Sequence, residues 1–257
     1  MNIIDKINTV KIWHHKIDLG DGVITPGLQD TPALLSQINL PLNLDGKRVL
    51  DLGARDGFFS FECEKRGASE VVALDYVDWE LTGFKLCHDH LNSRVKFING
   101  NIYSINRQEL GTFDLVLFLG LIYHLRHPIL ALDRIYDVMN LGGELLIESH
   151  TIDHGLVGAE GEWKSLNPEY VDLQIAQFYS AGKLGNDVTS PWAPNQLCLE
   201  MMAQDAGFKI TNSWIAGFRG GITGVKYDLP NNHPRWIDTA NSLNMHNNLQ
   251  ILQNGEI

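Results

Sequence analysis

The sequence predicts an α/β protein with a three-layer, Rossmann-like sheet of seven mostly parallel strands. Two observations support this fold class. From Arg48 onward, apolar β-rich runs alternate with helical patterns, which indicates repeated strand and helix units. The run Val49–Leu52 leads through a turn containing Gly53 and Gly57 into a helix, and the next strand ends in Asp75, as in nucleotide-binding sheets. We therefore expect a nucleoside to bind at this edge of the sheet.

The predicted elements follow in chain order. Strands are predicted over Arg48–Leu52, Glu70–Leu74, Val95–Asn99, Phe113–Leu119 and Glu144–Glu148. Helices are predicted over Phe58–Lys65, Asp78–Leu91 and Pro128–Val138, and Asn140–Gly143 is read as the stop signal of the last one. After a helix over Pro194–Ala206, the runs Phe208–Trp214 and Gly221–Tyr227 are expected to pair as a C-terminal antiparallel hairpin.

Three regions lie outside this plan. We expect an N-terminal extension over 1–44 that folds over the ligand, a domain over 45–230 with a cap inserted at about 150–192, and a polar tail over 231–257 with a disordered end. The cap is rich in aromatic residues, which either contact the substrate or pack on the core. The candidate substrate contacts are Trp163, Tyr179, Trp192 and Asn195.

The turn after the first strand has the chemistry of a nucleoside site. Its glycines let the backbone approach a ligand, and the helix that begins at Phe58 offers free N–H groups. Asp75 can accept hydrogen bonds from both ribose hydroxyls. The G-x-G-x-x-G pattern of dinucleotide sites is absent, so no pyrophosphate site is expected.

Asp51, Gly53 and Gly57 form a D-x-G-x-x-x-G pattern that resembles the first motif of class I S-adenosylmethionine (SAM) methyltransferases. The string LIYHLRHP at 121–128 resembles a branch containing the tRNA wobble-uridine carboxymethyltransferases and related small-molecule enzymes. The resemblance covers about Gly46 to Asp228 and implies SAM as the cofactor. The implied cofactor contacts are Trp13, Asp51, Gly53, Ala54, Gly57, Phe58, Asp75, Tyr76, Asn101, Ile102, Tyr103, Leu119, Gly120 and Tyr123.

Two residues depart from the pattern of that family. Arg55 stands where the family commonly has a glycine, and its side chain either points to solvent, which we favour, or narrows the pocket at the amino-acid end of the cofactor. Asn101 stands where many members have Asp, although an amide oxygen can still accept a hydrogen bond from adenine. Trp13 and Tyr103 either face the cofactor or are packing residues.

Methyl transfer is an in-line displacement, so the protein mainly aligns donor and acceptor in a dry pocket. A hydroxyl acceptor benefits from a general base, and His124 is the first candidate because it lies at a strand end, with His150 second. The alternative is that His124 is a hydrogen-bonded structural histidine. The histidine spacings fit no recognised metal site, so no metal is expected.

Composition narrows the class of protein. The 257 residues include 31 acidic and 20 basic side chains, a net charge of −11 that disfavours extended nucleic acid unless a local patch such as Arg94, Lys96, Arg107, Arg126 and Arg134 overrides it. Three cysteines without C-x-x-C spacing indicate reduced packing residues. No apolar run is long enough to span a bilayer, and no signal peptide is evident, so we expect a cytoplasmic protein without membrane contact.

Three functions are compatible with these features. The first is a SAM-dependent methyltransferase that modifies an oxygen or nitrogen of a small metabolite. The second is a tRNA wobble-uridine (carboxy)methyltransferase, although the lysine expected upstream of the first strand is missing at Leu19–Gly20, unless Arg235 supplies a cation. The third is a non-catalytic nucleoside-binding partner subunit. The sequence does not indicate an oligomeric state.

Overall fold

The computed structural model describes residues 2–158, 161–170, 172–179, 184 and 187–230. The strands are β1 (Arg48–Leu52), β2 (Glu70–Asp75), β3 (Lys96–Asn99), β4 (Phe113–Leu119), β5 (Met139–His150), β6 (Leu156–Val157), β7 (Trp163–Lys164), β8 (Ala176–Phe178), β9 (Trp192–Pro194), β10 (Phe208–Ala216) and β11 (Arg219–Lys226). The α-helices are α1 (Ile3–Ile7), α2 (Thr31–Gln37), α3 (Phe58–Lys65), α4 (Phe84–Leu91), α5 (Arg107–Leu110), α6 (Pro128–Asp137) and α7 (Gln196–Asp205).

Seven strands form one sheet in the order β10-β11-β5-β4-β1-β2-β3. Strands β1 to β5 run parallel, and β11 is antiparallel to both β5 and β10. The central strands are buried on both faces, with Leu50, Leu117 and Phe118 completely shielded from solvent. The predicted fold class is therefore confirmed, including the C-terminal hairpin.

Several predicted boundaries differ from the structure. Helix α7 begins at Gln196, because Pro194 ends β9, and β5 extends beyond the predicted Glu144–Glu148 at both ends. The single helix expected over Asp78–Leu91 is a 3₁₀ turn at Trp79–Leu81 followed by α4, because the chain breaks at Gly83. A Cβ atom at Gly83 would lie 2.0 Å from the Trp13 ring, so a close tertiary contact fixes this break. The expected helix stop Asn140–Gly143 lies inside β5, where the register with β4 shifts, and α6 already ends at Asp137.

The segment before β1 is anchored to the turn after β1. The buried carboxylate of Asp56 accepts hydrogen bonds from the backbone N–H groups of His14 (2.6 Å) and His15 (3.0 Å), and from that of Gly83 (3.0 Å). Trp13 packs in the core beside this point and donates from Nε1 to the carbonyl of Ile7. Asp56 thus holds the N-terminal segment and the α4 region against the same turn.

The region expected to form a cap contains only short elements in its described part. Strand β6 pairs with β7, β8 pairs with β9, and a 3₁₀ turn occupies Pro168–Tyr170. The described residues up to Lys226 belong to one compact unit, and 227–230 belong to a second. The tail over 231–257 and Arg235 lie outside the described residues. No described helix combines the length and apolarity needed to cross a membrane.

Candidate active site

A cavity of about 1010 Å³ opens beyond the C-terminal ends of β1, β2 and β4, where parallel sheets bind ligands. Most of the residues expected to contact the cofactor line it. These are Asp51, Gly53, Ala54, Asp75, Tyr76, Asn101, Ile102, Tyr103, Leu119, Gly120 and Tyr123, together with the candidate base His124.

The turn between β1 and α3 fixes the Asp75 carboxylate. The N–H of Arg55 donates to Asp75 Oδ2 (2.9 Å), and the N–H of Val77 donates to Oδ1 (2.8 Å). At Gly57 the backbone has φ +91°, and a Cβ atom would lie 2.6 Å from the Phe61 ring, so the turn requires glycine there. Asp75 is thereby held at the cavity wall with lone pairs left for ribose hydroxyls.

Asp51 lies beneath this turn and is almost completely buried. Burial raises its pKa to about 7, although the Ser60 hydroxyl donates to the carboxylate at 2.5 Å. A cationic ligand in the cavity would favour the ionised carboxylate.

The turn after β3 forms another part of the wall. The side chain of Asn101 accepts a hydrogen bond from the N–H of Tyr103 (3.0 Å) and begins the 3₁₀ turn Ile102–Ser104. The Tyr103 hydroxyl accepts one from the N–H of His127 (3.1 Å), which ties this turn to the exit of β4.

His124 follows β4 and contacts a group that the sequence did not single out. Its Nδ1 lies 3.0 Å from the Thr189 hydroxyl, 3.3 Å from the Thr189 carbonyl oxygen and 3.7 Å from Asp187 Oδ2. The hydroxyls of Thr189 and Ser190 both donate to Asp187. Burial lowers the pKa of His124, while Asp187 acts in the opposite direction. The imidazole is therefore neutral near pH 7 and oriented through Nδ1.

A second unforeseen group joins β4, β5 and β11. Arg219 forms a two-point ion pair with Glu148 and donates to the Tyr123 hydroxyl at 3.2 Å. Glu148 and Tyr123 line the cavity, and a Cβ at Gly120 would lie 3.8 Å from the guanidinium. Burial raises the pKa of Tyr123, and Arg219 opposes this. The Tyr123 phenol is therefore protonated near neutrality.

The N-terminal segment supplies four more lining residues, His14, His15, Gln29 and Leu34. His15 is deeply buried, accepts a hydrogen bond at Nδ1 from the N–H of Phe58 (3.4 Å), and has a pKa lowered to about 4 mainly by that burial. Burial also lowers the pKa of His14. Both rings are neutral near pH 7, so this wall adds polar groups without adding charge.

Several expected contacts lie outside the cavity lining. Trp13 is in the core, and His150 stacks on Phe218 with ring centroids 6.2 Å apart. Gly57, at the end of the turn, and Phe58, the first residue of α3, are not among the lining residues. Burial, with a contribution from Arg219, lowers the pKa of His150 to about 4.

The four expected substrate contacts also lie outside the lining. Trp163 is half-exposed and packs edge-on against Phe218, and Tyr179 is buried in a small cluster with Ile152. Trp192 donates to the Leu125 carbonyl at 2.7 Å, and the buried Asn195 caps α7. Their contacts are those of packing and capping residues.

Arg55 does not point freely to solvent, which corrects the favoured expectation. Its side chain lines the cavity and is half-buried, and its Nε is shielded without a hydrogen-bond partner. The residue adopts φ +51°, in the left-handed region. In the described part of the chain, no group of three or more His, Cys, Asp or Glu residues is arranged to hold a metal ion.

Sequence and structure comparisons place these features among known proteins. Residues 28–190 match a family model described as a methyltransferase domain. A tRNA U34 carboxymethyltransferase from Campylobacter concisus is 36% identical over 190 residues, covering 68% of this chain and 60% of that protein. This chain spans between 39% and 60% of the length of that relative and two others with the same name.

Solved structures share the fold at low identity. The N-terminal domain of EvdMO1 with SAH bound has a TM-score of 0.61 at 15% identity, covering 89% of this chain and 98% of that one. A Burkholderia thailandensis 1,6-didemethyltoxoflavin-N1-methyltransferase has a TM-score of 0.53 at 18% identity, covering 72% of each chain.

Proposed function

The chain belongs to the methyltransferase domain family and is a class I SAM-dependent methyltransferase by family and fold; from this premise we propose that it methylates an oxygen or nitrogen of a small metabolite. One observation carries the proposal. A fixed carboxylate suited to ribose, Asp75, and a neutral, oriented imidazole, His124, line the same cavity. A cofactor whose ribose binds Asp75 would present its reactive end in the cavity that also contains His124, a proton acceptor.

The residues of the cavity fit SAM. Asp75 offers acceptors for the ribose hydroxyls, and the turn at Asn101–Tyr103 offers an amide and an aromatic ring beside it for the base. Asp51, whose pKa burial raises, would gain charge stabilisation from a cationic ligand. When bound, SAM supplies an electrophilic methyl group on a sulfonium centre.

In the proposed reaction, His124 receives the proton of the acceptor. The hydrogen bond from Nδ1–H to the Thr189 carbonyl oxygen leaves Nε2 as the basic nitrogen. A bound SAM would supply the methyl group to the acceptor's lone pair, and its sulfur would keep the electron pair of the broken carbon–sulfur bond. The proton moves to Nε2, and Asp187, 3.7 Å from Nδ1, stabilises the imidazolium. The Trp192 indole N–H donates to the Leu125 carbonyl oxygen and so joins β9 to the segment that carries His124.

The acidic composition supports a small acceptor. A net charge of −11 repels a polyphosphate backbone, and Arg94 and Lys96, two of the cations proposed for a nucleic-acid patch, pair with Glu64 and Glu70. Arg126, another of those cations, is exposed and lines the cavity.

Carboxymethyl transfer to tRNA is a second candidate, favoured by the 36% identity to the Campylobacter concisus relative. A carboxylated cofactor needs a cation near its transferred group. Arg219 lies beside Tyr123, but its charge is balanced by both oxygens of Glu148. The pair therefore offers less attraction for an added carboxylate than a free arginine would.

An isotope experiment separates these functions. The protein is incubated with methyl-deuterated SAM or with carboxylated SAM labelled in its carboxymethyl group. Each cofactor is combined, in parallel reactions, with a low-molecular-weight metabolite extract or with bulk tRNA. We expect labelled methyl groups in the small-molecule fraction, and none with the His124→Phe variant. Label in the tRNA alone would instead support the second candidate. Tight SAM binding with no labelling of either pool would favour a non-catalytic nucleoside-binding subunit.

A further inference from the structure

We propose that the guanidinium of Arg55 binds the α-carboxylate of the amino-acid end of SAM and thereby selects the carboxylate-bearing form of the cofactor. This inference rests on the proposed function, because it assigns a role toward the same cofactor. A glycine, the common residue of the family at this position, has no side chain for such a contact.

The backbone places Arg55 beside the ribose position. Its N–H donates to Asp75 Oδ2, so the residue lies next to the carboxylate assigned to the ribose hydroxyls. The conformation at φ +51° is one that side-chain-bearing residues rarely adopt. The residue lines the cavity, and its Nε is shielded from solvent.

The guanidinium has no protein partner in the described part of the chain. Its Nε is shielded from solvent and makes no hydrogen bond, and no described carboxylate forms an ion pair with it. Arg48 pairs with Glu70, and Arg66 with Glu62. Arg134 also has a shielded Nε without a hydrogen bond, but it does not line the cavity. A shielded, unpaired donor on a charged group is costly, so an anionic ligand is the expected partner.

The nearest carboxylates are already engaged by other groups. Asp56 accepts three backbone hydrogen bonds, and Asp75 accepts from two backbone N–H groups. Arg55 lies close enough to His14 and His15 to lower the pKa of both imidazoles. An imidazole is either neutral or cationic, so neither histidine can neutralise the guanidinium. The protein therefore leaves the guanidinium available to a ligand.

The chemistry of SAM identifies which of its groups matches Arg55. Its sulfonium and amino groups are cationic, its ribose and adenine are neutral, and its α-carboxylate is the one anionic group. An arginine beside the ribose site, facing the cavity, is complementary to that carboxylate alone, and a planar guanidinium can bind it through two hydrogen bonds.

Calorimetry with three ligands tests the assignment by binding alone. SAM is compared with decarboxylated SAM, which lacks only the α-carboxylate, and 5′-methylthioadenosine reports on the nucleoside site. We expect the wild type to prefer SAM over decarboxylated SAM by about 10- to 100-fold, the scale of a charge-assisted contact. In Arg55→Gln this ratio should fall to near one, while the affinity for 5′-methylthioadenosine stays within about 2-fold.

Two further variants complete the design. Arg55→Gly also removes the guanidinium but suits the positive φ, so it serves if the glutamine variant folds poorly. Arg126→Gln removes an equal charge from another wall of the cavity and should leave the ratio unchanged.

A ratio that persists in Arg55→Gln and Arg55→Gly would overturn the inference, as would an equal fall in Arg126→Gln or a wild type without preference. Failure of the wild type to bind either SAM or 5′-methylthioadenosine would instead overturn the proposed function.

Discussion

Replacing Asp56 by Asn tests how strongly the N-terminal segment is fixed to the site. The carboxylate accepts two backbone N–H groups at Oδ2 and one at Oδ1. An amide that keeps its oxygen toward His14 and His15 turns its NH₂ toward the N–H of Gly83. One buried donor is then unsatisfied, at about 1–3 kcal/mol, and two bonds lose charge assistance, at about 1 kcal/mol each. The expected destabilisation is therefore about 3–5 kcal/mol.

Urea unfolding of the wild type and Asp56→Asn measures this difference directly. A stability of about 5–15 kcal/mol is typical of a domain, so the loss is large enough to resolve. Asp30→Asn is the matched control, because Asp30 caps α2 in the same segment and Asn caps equally well; we expect a change below about 0.5 kcal/mol. A loss below about 1 kcal/mol in Asp56→Asn would refute the reasoning.

The remaining predictions concern ligand binding and turnover. Asp75→Ala should weaken SAM binding by more than about 1 kcal/mol, measured by calorimetry, because ribose acceptors are lost; unchanged affinity would contradict the ribose assignment. His124→Phe should lower kcat far more than SAM affinity, and equal losses would make His124 a binding residue. Burial lowers the pKa of His124, so kcat should fall only below about pH 6.5. Since Asp187 raises that pKa, Asp187→Asn should move the acidic limb of the profile to lower pH, and a move to higher pH would contradict this.

The sheet and much of the site were predictable because they depend on local pattern. The strand β1, the glycine turn and the acidic end of β2 are encoded by short runs whose periodicity and end residues are visible in the sequence. Parallel strands bring their C-terminal ends to one edge, so Asp75 and His124 were expected to share a cavity. Both line it in the structure.

The parts that were missed depend on long-range packing. Asp187 approaches His124 across a separation of more than sixty residues, and Arg219 reaches Tyr123 from β11. An Asp followed by Thr189 and Ser190 does have the pattern of a hydrogen-bonded turn, which would have pointed to a fixed carboxylate. No comparable sequence pattern singled out Arg219.

The conformation of single residues also could not be predicted from the sequence. Arg55 lines the cavity and its backbone adopts the left-handed region, whereas sequence alone favoured a side chain that points to solvent. The break before α4 arises because Gly83 packs directly on Trp13, and the same packing keeps that tryptophan in the core.

Native mass spectrometry of the purified protein, followed by denaturation and identification of any released nucleoside, tests the central claim most directly. We expect one SAM or S-adenosylhomocysteine per chain, either carried through purification or bound when SAM is added in excess. A protein that stays free of nucleoside at saturating SAM, by both mass spectrometry and calorimetry, would contradict it.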